Sequence, residues 1–134
     1  MADEFPVDGV ELTQLLVISE LDESVHFYRD ILGAELVRTY GGTSAVLRFR
    51  GCWLLLVTRG GPTPDKPTVT FAPPADPDTV SHELTLRVPD CRTAYRVLSD
   101  RGAVFLTPPI ESDWEIRAFF RDPDGHLLEI SQAK

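Results

Sequence analysis

The sequence predicts an α+β fold made of one βαβββ unit used twice. Three observations carry this: an order of strand and helix signals that recurs after residue 80, alternation of apolar and polar residues in the strand segments, and an acidic residue before and a glycine after each helical segment. The chain has 134 residues, 43% of them hydrophobic, the size of one compact domain that buries roughly two-thirds of its unfolded surface. A single domain over 1–134 is expected, with a first module at 10–58, a linker at 59–80 and a second module at 81–132.

In the first module, Glu11 to Ser19 alternates and is expected to be a strand. Asp22 precedes a helix over Glu23 to Leu32, and Gly33 ends it before a new strand begins at Ala34-Glu35-Leu36. Ala45 to Phe49 and Trp53 to Val57 follow as a hairpin. The second module repeats the plan: strand Ser81 to Val88, cap Asp90, helix Cys91 to Arg101, terminator Gly102, strand from Ala103-Val104-Phe105, and a hairpin of Ile116 to Arg121 with His126 to Ser131. Leu21, Val25, Tyr28 and Leu32 share one helical stripe, as do Cys91, Ala94, Tyr95 and Leu98, so each helix covers one sheet face and leaves the other open. The linker carries six of the eleven prolines and a short Val69-Thr70-Phe71 that reads as an edge strand. It is a spacer, or else a flap over the open sheet.

Thirteen basic against twenty-one acidic residues give a net charge of −8, which opposes attraction to phosphate backbones and anionic lipid. Neither nucleic acid nor a membrane is an expected partner, and no apolar run reaches the ~20 residues of a membrane span. Cys52 and Cys91 fall in separate elements with no secretory leader ahead of them, so a reducing cytoplasm is the expected compartment.

The segment Arg121-Asp122-Pro123-Asp124-Gly125-His126 places Asp, Pro, Asp and Gly where a type I turn favours them. Along the strand that follows, Leu128 and Ile130 point to one face and Leu127, Glu129 and Ser131 to the other. In the second module's first strand, Leu84, Leu86 and Val88 oppose Glu83, Thr85 and Arg87. The apolar sides pack under the helix, so Glu83 and Glu129 both project to the open side. Two readings stay open for them. They are solvated glutamates on an exposed sheet, or a converging pair that acts as acid and base, holds a divalent cation or attracts a cationic ligand.

From Leu12 to Ser131, through the doubled plan, the helix segment Phe27-Tyr28-Arg29-Asp30-Ile31-Leu32-Gly33 and the closing hairpin, the chain resembles the vicinal oxygen chelate superfamily of glyoxalase, bleomycin-resistance and extradiol-dioxygenase proteins. The resemblance implies cupped mixed sheets, a homodimer, and a metal-ligand role for Glu129. It further implies histidines seven residues before the acidic residue that precedes each helix, but these places hold Thr13 and Glu83. The first module's counterpart of Glu129, four residues after Gly51, is Leu55. Two carboxylates and a hydroxyl make a poor transition-metal site, so no tightly bound cofactor is expected and at most a weak divalent cation. A one-residue register slip would instead turn His82 inward, while His26 and His126 read as surface residues. The remaining expected ligand contacts are Trp53 beside Leu55, Arg48 and Arg117 in matching strands, Phe119, and Trp114 in the Thr107 to Trp114 loop, placed like the substrate-covering loops of related proteins. The fold hosts isomerases, dioxygenases, transferases and drug-sequestering proteins. The leading expectation is a small-molecule binder of bleomycin-resistance type with a degenerate metal site; the alternative is a metal-dependent lyase, isomerase or dioxygenase of glyoxalase type, with Glu83 and Glu129 as ligands.

Overall fold

A computed structural model describes residues 4–134. Strand β1 (Thr13–Ile18) leads into helix α1 (Leu21–His26), whose last turns widen into a π-helical segment, Phe27–Ile31. Strands β2 (Glu35–Tyr40), β3 (Ser44–Phe49) and β4 (Cys52–Thr58) complete the first module. The second comprises β5 (Leu84–Arg87), α2 (Cys91–Arg101), β6 (Ile110–Glu111), β7 (Glu115–Arg121) and β8 (Leu127–Ala133). The sheets have corresponding orders, β1-β4-β3-β2 and β5-β8-β7-β6. In each, the first strand runs parallel to the last and the other pairs are antiparallel. The mixed pairing follows from the helix, which returns the chain to the edge of its own sheet.

Burial follows the alternation. Leu16 and Ile18 on β1, Ala45 and Leu47 on β3, and Leu54 and Leu56 on β4 are buried, as are Ala118, Phe120, Leu128 and Ile130 in the second module. Cys91 and Leu98 of α2 join that core. Tyr28, fully buried, stands edge-on to Phe27 with ring centroids 4.9 Å apart. Asp90 caps α2 by accepting from the Thr93 amide at 3.0 Å, while Gly33 and Gly102 take positive φ of 92° and 115° after their helices.

Several elements depart from the sequence reading. The first helix begins at Leu21 after Glu20, which makes no side-chain capping bond, so Asp22 lies in its first turn. The strand expected at Ala103-Val104-Phe105 is reduced to one bridge, Phe105 with Phe120, and the sheet edge is formed instead by Ile110–Glu111. Phe105 packs against Tyr95 and Phe120, at centroid distances of 4.7 and 4.8 Å, and the Leu106 amide donates to the Phe119 carbonyl at 2.9 Å, so packing and a single ladder bond hold this stretch. Val69-Thr70-Phe71 likewise contributes only the bridge of Phe71 to Gly60.

The modules are joined through their turns. The Tyr28 hydroxyl donates to Asp122 at 2.8 Å, Asp124 accepts from the Ser19 amide at 3.1 Å, and Arg101 donates to the Ile31 carbonyl at 3.1 Å. No helix among the described residues is long and apolar enough to cross a membrane.

Candidate functional site

The register of β5, β8 and β7 places Glu129 in a row on the open face, between Thr85 on one side and Phe119 on the other. Glu83 stands just before β5, two residues from Thr85 and on the same side. Glu83 acts on the Glu129 carboxyl. Burial, first, and then the side-chain contact and negative charge of Glu83 push the Glu129 carboxyl up to about 7, against the opposing pull of Arg117. Glu129 is 7% exposed, and Oε2 of Glu83 is buried with no hydrogen-bond partner. Two neighbouring carboxylates in a partly desolvated place favour a shared proton, because like charges disfavour each other's ionised form there.

Arg117, the arginine that acts on Glu129, also has other partners. Arg117 reaches Glu115 at 3.1 Å and lies over the Phe119 ring, 5.3 Å from its centroid. Arg121 pairs with Asp78 at 2.8 Å and also donates to the Pro77 carbonyl. Arg48 and Arg117 do lie in matching strands, β3 and β7, but at different positions along them. Since Val46 lies opposite Leu55 and Phe119 opposite Glu129, the counterpart of Arg48 is Arg121, and that of Arg117 is Ser44.

The first module's open face has a different character. Thr13, Trp53 and Arg48 form one row across β1, β4 and β3, and Leu15, Leu55 and Val46 form the next. Arg48 stacks on the Trp53 indole at 4.5 Å, and the indole N–H donates to Glu11 at 3.0 Å. Trp53 and Leu55, with Thr13, Val46 and Glu11, wall a cleft of about 290 Å³. A second cleft of about 330 Å³, at the junction of the modules, is shared by Thr13, Trp53 and Cys52 from the first and by Glu83, Leu84 and Thr85 from the second. Trp53 and Glu83 therefore border one space. Trp114 does not join them: it sits in the turn between β6 and β7, 72% exposed, and lines none of these clefts.

Of the histidines, His26 is exposed as expected and only His126 departs from the sequence reading. His82 is exposed and Glu83 is turned inward, so β5 holds the unslipped register. His126 is buried rather than superficial, with its Nε2 2.8 Å from the Val17 carbonyl oxygen. The sequence carried that signal, since alternation from Leu128 and Ile130 assigns His126 to the covered face. The role of Arg121 in fastening the linker had no comparable local signal.

A transition-metal centre does not fit these donors. Among the described residues no three His, Cys, Asp or Glu side chains gather closely enough to hold an ion. His126 is occupied by Val17, and Thr13 and Leu55 supply a hydroxyl and no donor.

The doubled βαβββ plan agrees with a family model for the Glyoxalase/Bleomycin resistance protein/Dioxygenase superfamily, which matches residues 11–130. The chain belongs to that superfamily. Solved structures of similar fold include TnmS3, an antibiotic binding protein from Streptomyces sp. CB03234, at 21% identity and a TM-score of 0.69 over 98% of this chain and 100% of that one. TioX from Micromonospora sp. ML1 matches at 21% identity and a TM-score of 0.71, covering 94% of this chain and 100% of its own. A glyoxalase/bleomycin resistance protein from Streptomyces sp. CB03234 matches at 22% identity and a TM-score of 0.61, over 92% and 100%. No curated protein matches the chain. At these identities the superfamily likeness speaks for the fold, and the site has to be argued from the residues.

Proposed function

We propose that this superfamily member binds a small organic molecule against its open sheet faces, by apolar burial and hydrogen bonding and without a transition-metal centre. The observation that carries the reading is the replacement of donors by packing surface. Leu55 stands where the first module of a metal-dependent relative would present a carboxylate, and together with Trp53 it walls a cleft instead. The similar fold of an antibiotic binding protein supports the same class of ligand. A homodimer is part of this reading, and sedimentation of the purified chain tests it.

The experiment is a calorimetric screen of aromatic antibiotics and related polycyclic compounds, with and without a chelator. Binding that persists in chelator and weakens at least tenfold in Trp53→Ala is the expected result. Binding abolished by chelation alone would overturn it. The Glu83 and Glu129 contact is the observation that favours a second reading, a glyoxalase-type lyase, isomerase or dioxygenase. That reading expects turnover that is lost both on chelation and in Glu129→Gln.

A further inference from the structure

We propose that the space between the linker and the closing turn is a second binding site, for a phenolic hydroxyl on a flat aromatic body, independent of the open sheet faces. The space measures about 470 Å³, is walled by Pro74, Val80 and Leu127 with His82 and His126, and includes none of Thr13, Trp53, Leu55, Glu83 or Glu129. His126 is more than nine-tenths buried, yet its side chain borders that space. Its Nε2 stands 2.8 Å from the Val17 carbonyl oxygen. A carbonyl only accepts, so Nε2 carries the proton of this bond and Nδ1 is the nitrogen left with a lone pair. Nδ1 has no hydrogen-bond partner among the described residues, and it is not sealed from solvent as the hydroxyls of Ser24 and Ser131 are. A buried imidazole acceptor that stays open to a cavity is a place for a donor from outside the chain.

The lining selects the donor. The exposed His82 ring stands 6.1 Å from that of His126, centroid to centroid, and adds a second flat surface. Asp76 is also in the lining, and its two carboxylate oxygens accept from the Asp78 amide and the Thr79 hydroxyl, each at 3.0 Å. A lone pair and a carboxylate in one lining oppose an anion, as does the net charge of −8. An ammonium would leave water for walls of Pro74, Val80 and Leu127, and because the Asp76 oxygens are already engaged, the bond to Nδ1 alone does not offset the burial of its charge. A neutral aromatic hydroxyl satisfies both sides: its O–H meets Nδ1, and its ring covers the apolar walls. The seat is also fixed in advance. Pro77 lies so close to Gly125 that an added β-carbon would come within 2.9 Å, and Asp78 pairs with Arg121 at 2.8 Å. The linker is therefore held against the turn before any ligand arrives, and little further ordering opposes binding.

The test uses the full chain and three probes of one outline: β-naphthol, its methyl ether, which lacks the donor, and the β-naphthoate anion. Each is titrated by NMR at mildly alkaline pH while the imidazole nitrogens and the Trp53 indole N–H are followed. In the free protein His126 is expected to carry its proton on Nε2. β-Naphthol should bind roughly fivefold or more tightly than either companion, moving the Nδ1 resonance of His126 and leaving the Trp53 indole in place. Val80→Trp, made at a position 44% exposed, fills the space and leaves the bond of His126 to Val17 intact. It should weaken β-naphthol about tenfold or more, while a compound from the antibiotic screen keeps its affinity for the open face. His126→Gln should remove the preference for the naphthol over its ether; if that variant does not fold, Val80→Trp and the nitrogen shifts decide. Equal binding of naphthol and ether, a proton on Nδ1 in the free protein, or affinity that Val80→Trp leaves unchanged overturns the linker site. A naphthol that moves only the Trp53 indole has bound the open face, which overturns the linker site and supports the function proposed above. If no probe moves any resonance the linker site fails alone, since the antibiotic screen decides the open-face reading separately.

Discussion

The Tyr28 hydroxyl, on the π-helical segment of the first module, donates a 2.8 Å hydrogen bond to Asp122, the residue that opens the closing turn of the second. Both residues are buried, Tyr28 fully and Asp122 to 5% exposure. The other Asp122 oxygen accepts from the amides of Asp124 and His126 at 3.0 and 2.9 Å. One carboxylate thus shapes the turn and ties it to the neighbouring module. Burial raises the pKa of Asp122, while His126 and the hydrogen bonds it accepts act against that rise.

Tyr28→Phe keeps the ring and its edge contact with Phe27 but strands one oxygen of a buried carboxylate. The expected loss is about 1 to 3 kcal/mol of unfolding free energy at pH 7, measured by urea denaturation. A change smaller than about 0.5 kcal/mol would mean that the bond does not hold the modules together.

The Glu129 carboxyl gives stability a specific pH dependence. Its folded pKa is raised to about 7 from an ordinary value of 4.5, chiefly by burial and then by Glu83. Between these two values the folded state holds a proton that the unfolded chain has released, so the slope of stability with pH is negative there. The contribution is full below about pH 4.5 and is lost as pH rises through about 7. The loss is of order 1 to 3 kcal/mol, shared by the pair as a unit. Asp30, Asp65, Asp90 and Glu111 have lowered pKa values, so their own losses fall at lower pH. Urea denaturation at pH 5, 6, 7 and 8 should show wild type losing stability relative to Glu129→Gln across this range. Parallel curves for the two proteins would remove the contact as a source of strain.

Alternation and helix punctuation make most of the fold legible in the sequence. The facing of Glu83, Thr13, Leu55 and Glu129 needed only period two, and both helix-ending glycines have the positive φ the sequence asks of them. What escaped was nonlocal. The strand expected at Val104 gives way because Phe105 is engaged by Tyr95 and Phe120, contacts that propensity cannot foresee. The matching strands of Arg48 and Arg117 were legible, but not that Arg48 corresponds in position to Arg121, because strand identity alone leaves register free. Only the loop's resemblance points Trp114 toward the site, and its turn carries it into solvent instead.

Trp53 offers an optical readout of the first face. Trp114 is 72% exposed, so Trp114→Phe should leave a folded protein whose tryptophan emission comes from Trp53 alone. In that background, a ligand filling the cleft beside Leu55 should shift the emission to the blue by excluding water from the indole. Arg48→Ala, which removes the cation stacked at 4.5 Å, should shift emission of the free protein and weaken binding of an aromatic ligand by less than about 1 kcal/mol. A ligand that binds by calorimetry without changing this emission does not occupy the first face.

The linker is fastened rather than free, and the fastening centres on Arg121. Its guanidinium donates to Asp78 and to the Pro77 carbonyl, while its stem is three-quarters buried at the end of β7. Gly125 completes the seat. A β-carbon there would come within 2.9 Å of the Pro77 side chain, and its φ of 92° disfavours any L side chain. Ala72, Pro74 and Val80 of the linker, with His82, His126 and Leu127, enclose a space of about 470 Å³. Loosening the segment should therefore open that space. Arg121→Ala is expected to raise the rate of subtilisin cleavage within 72–80 several-fold without moving the global unfolding midpoint by more than a small amount, because the exposed Asp78 partner makes the pair itself worth little. Gly125→Ala should raise cleavage too and in addition lower stability by roughly 1 to 2 kcal/mol, from the left-handed backbone and the Pro77 contact together. If both variants resist the protease as wild type does, other contacts of the linker hold it closed, and Arg121 is only one anchor among several.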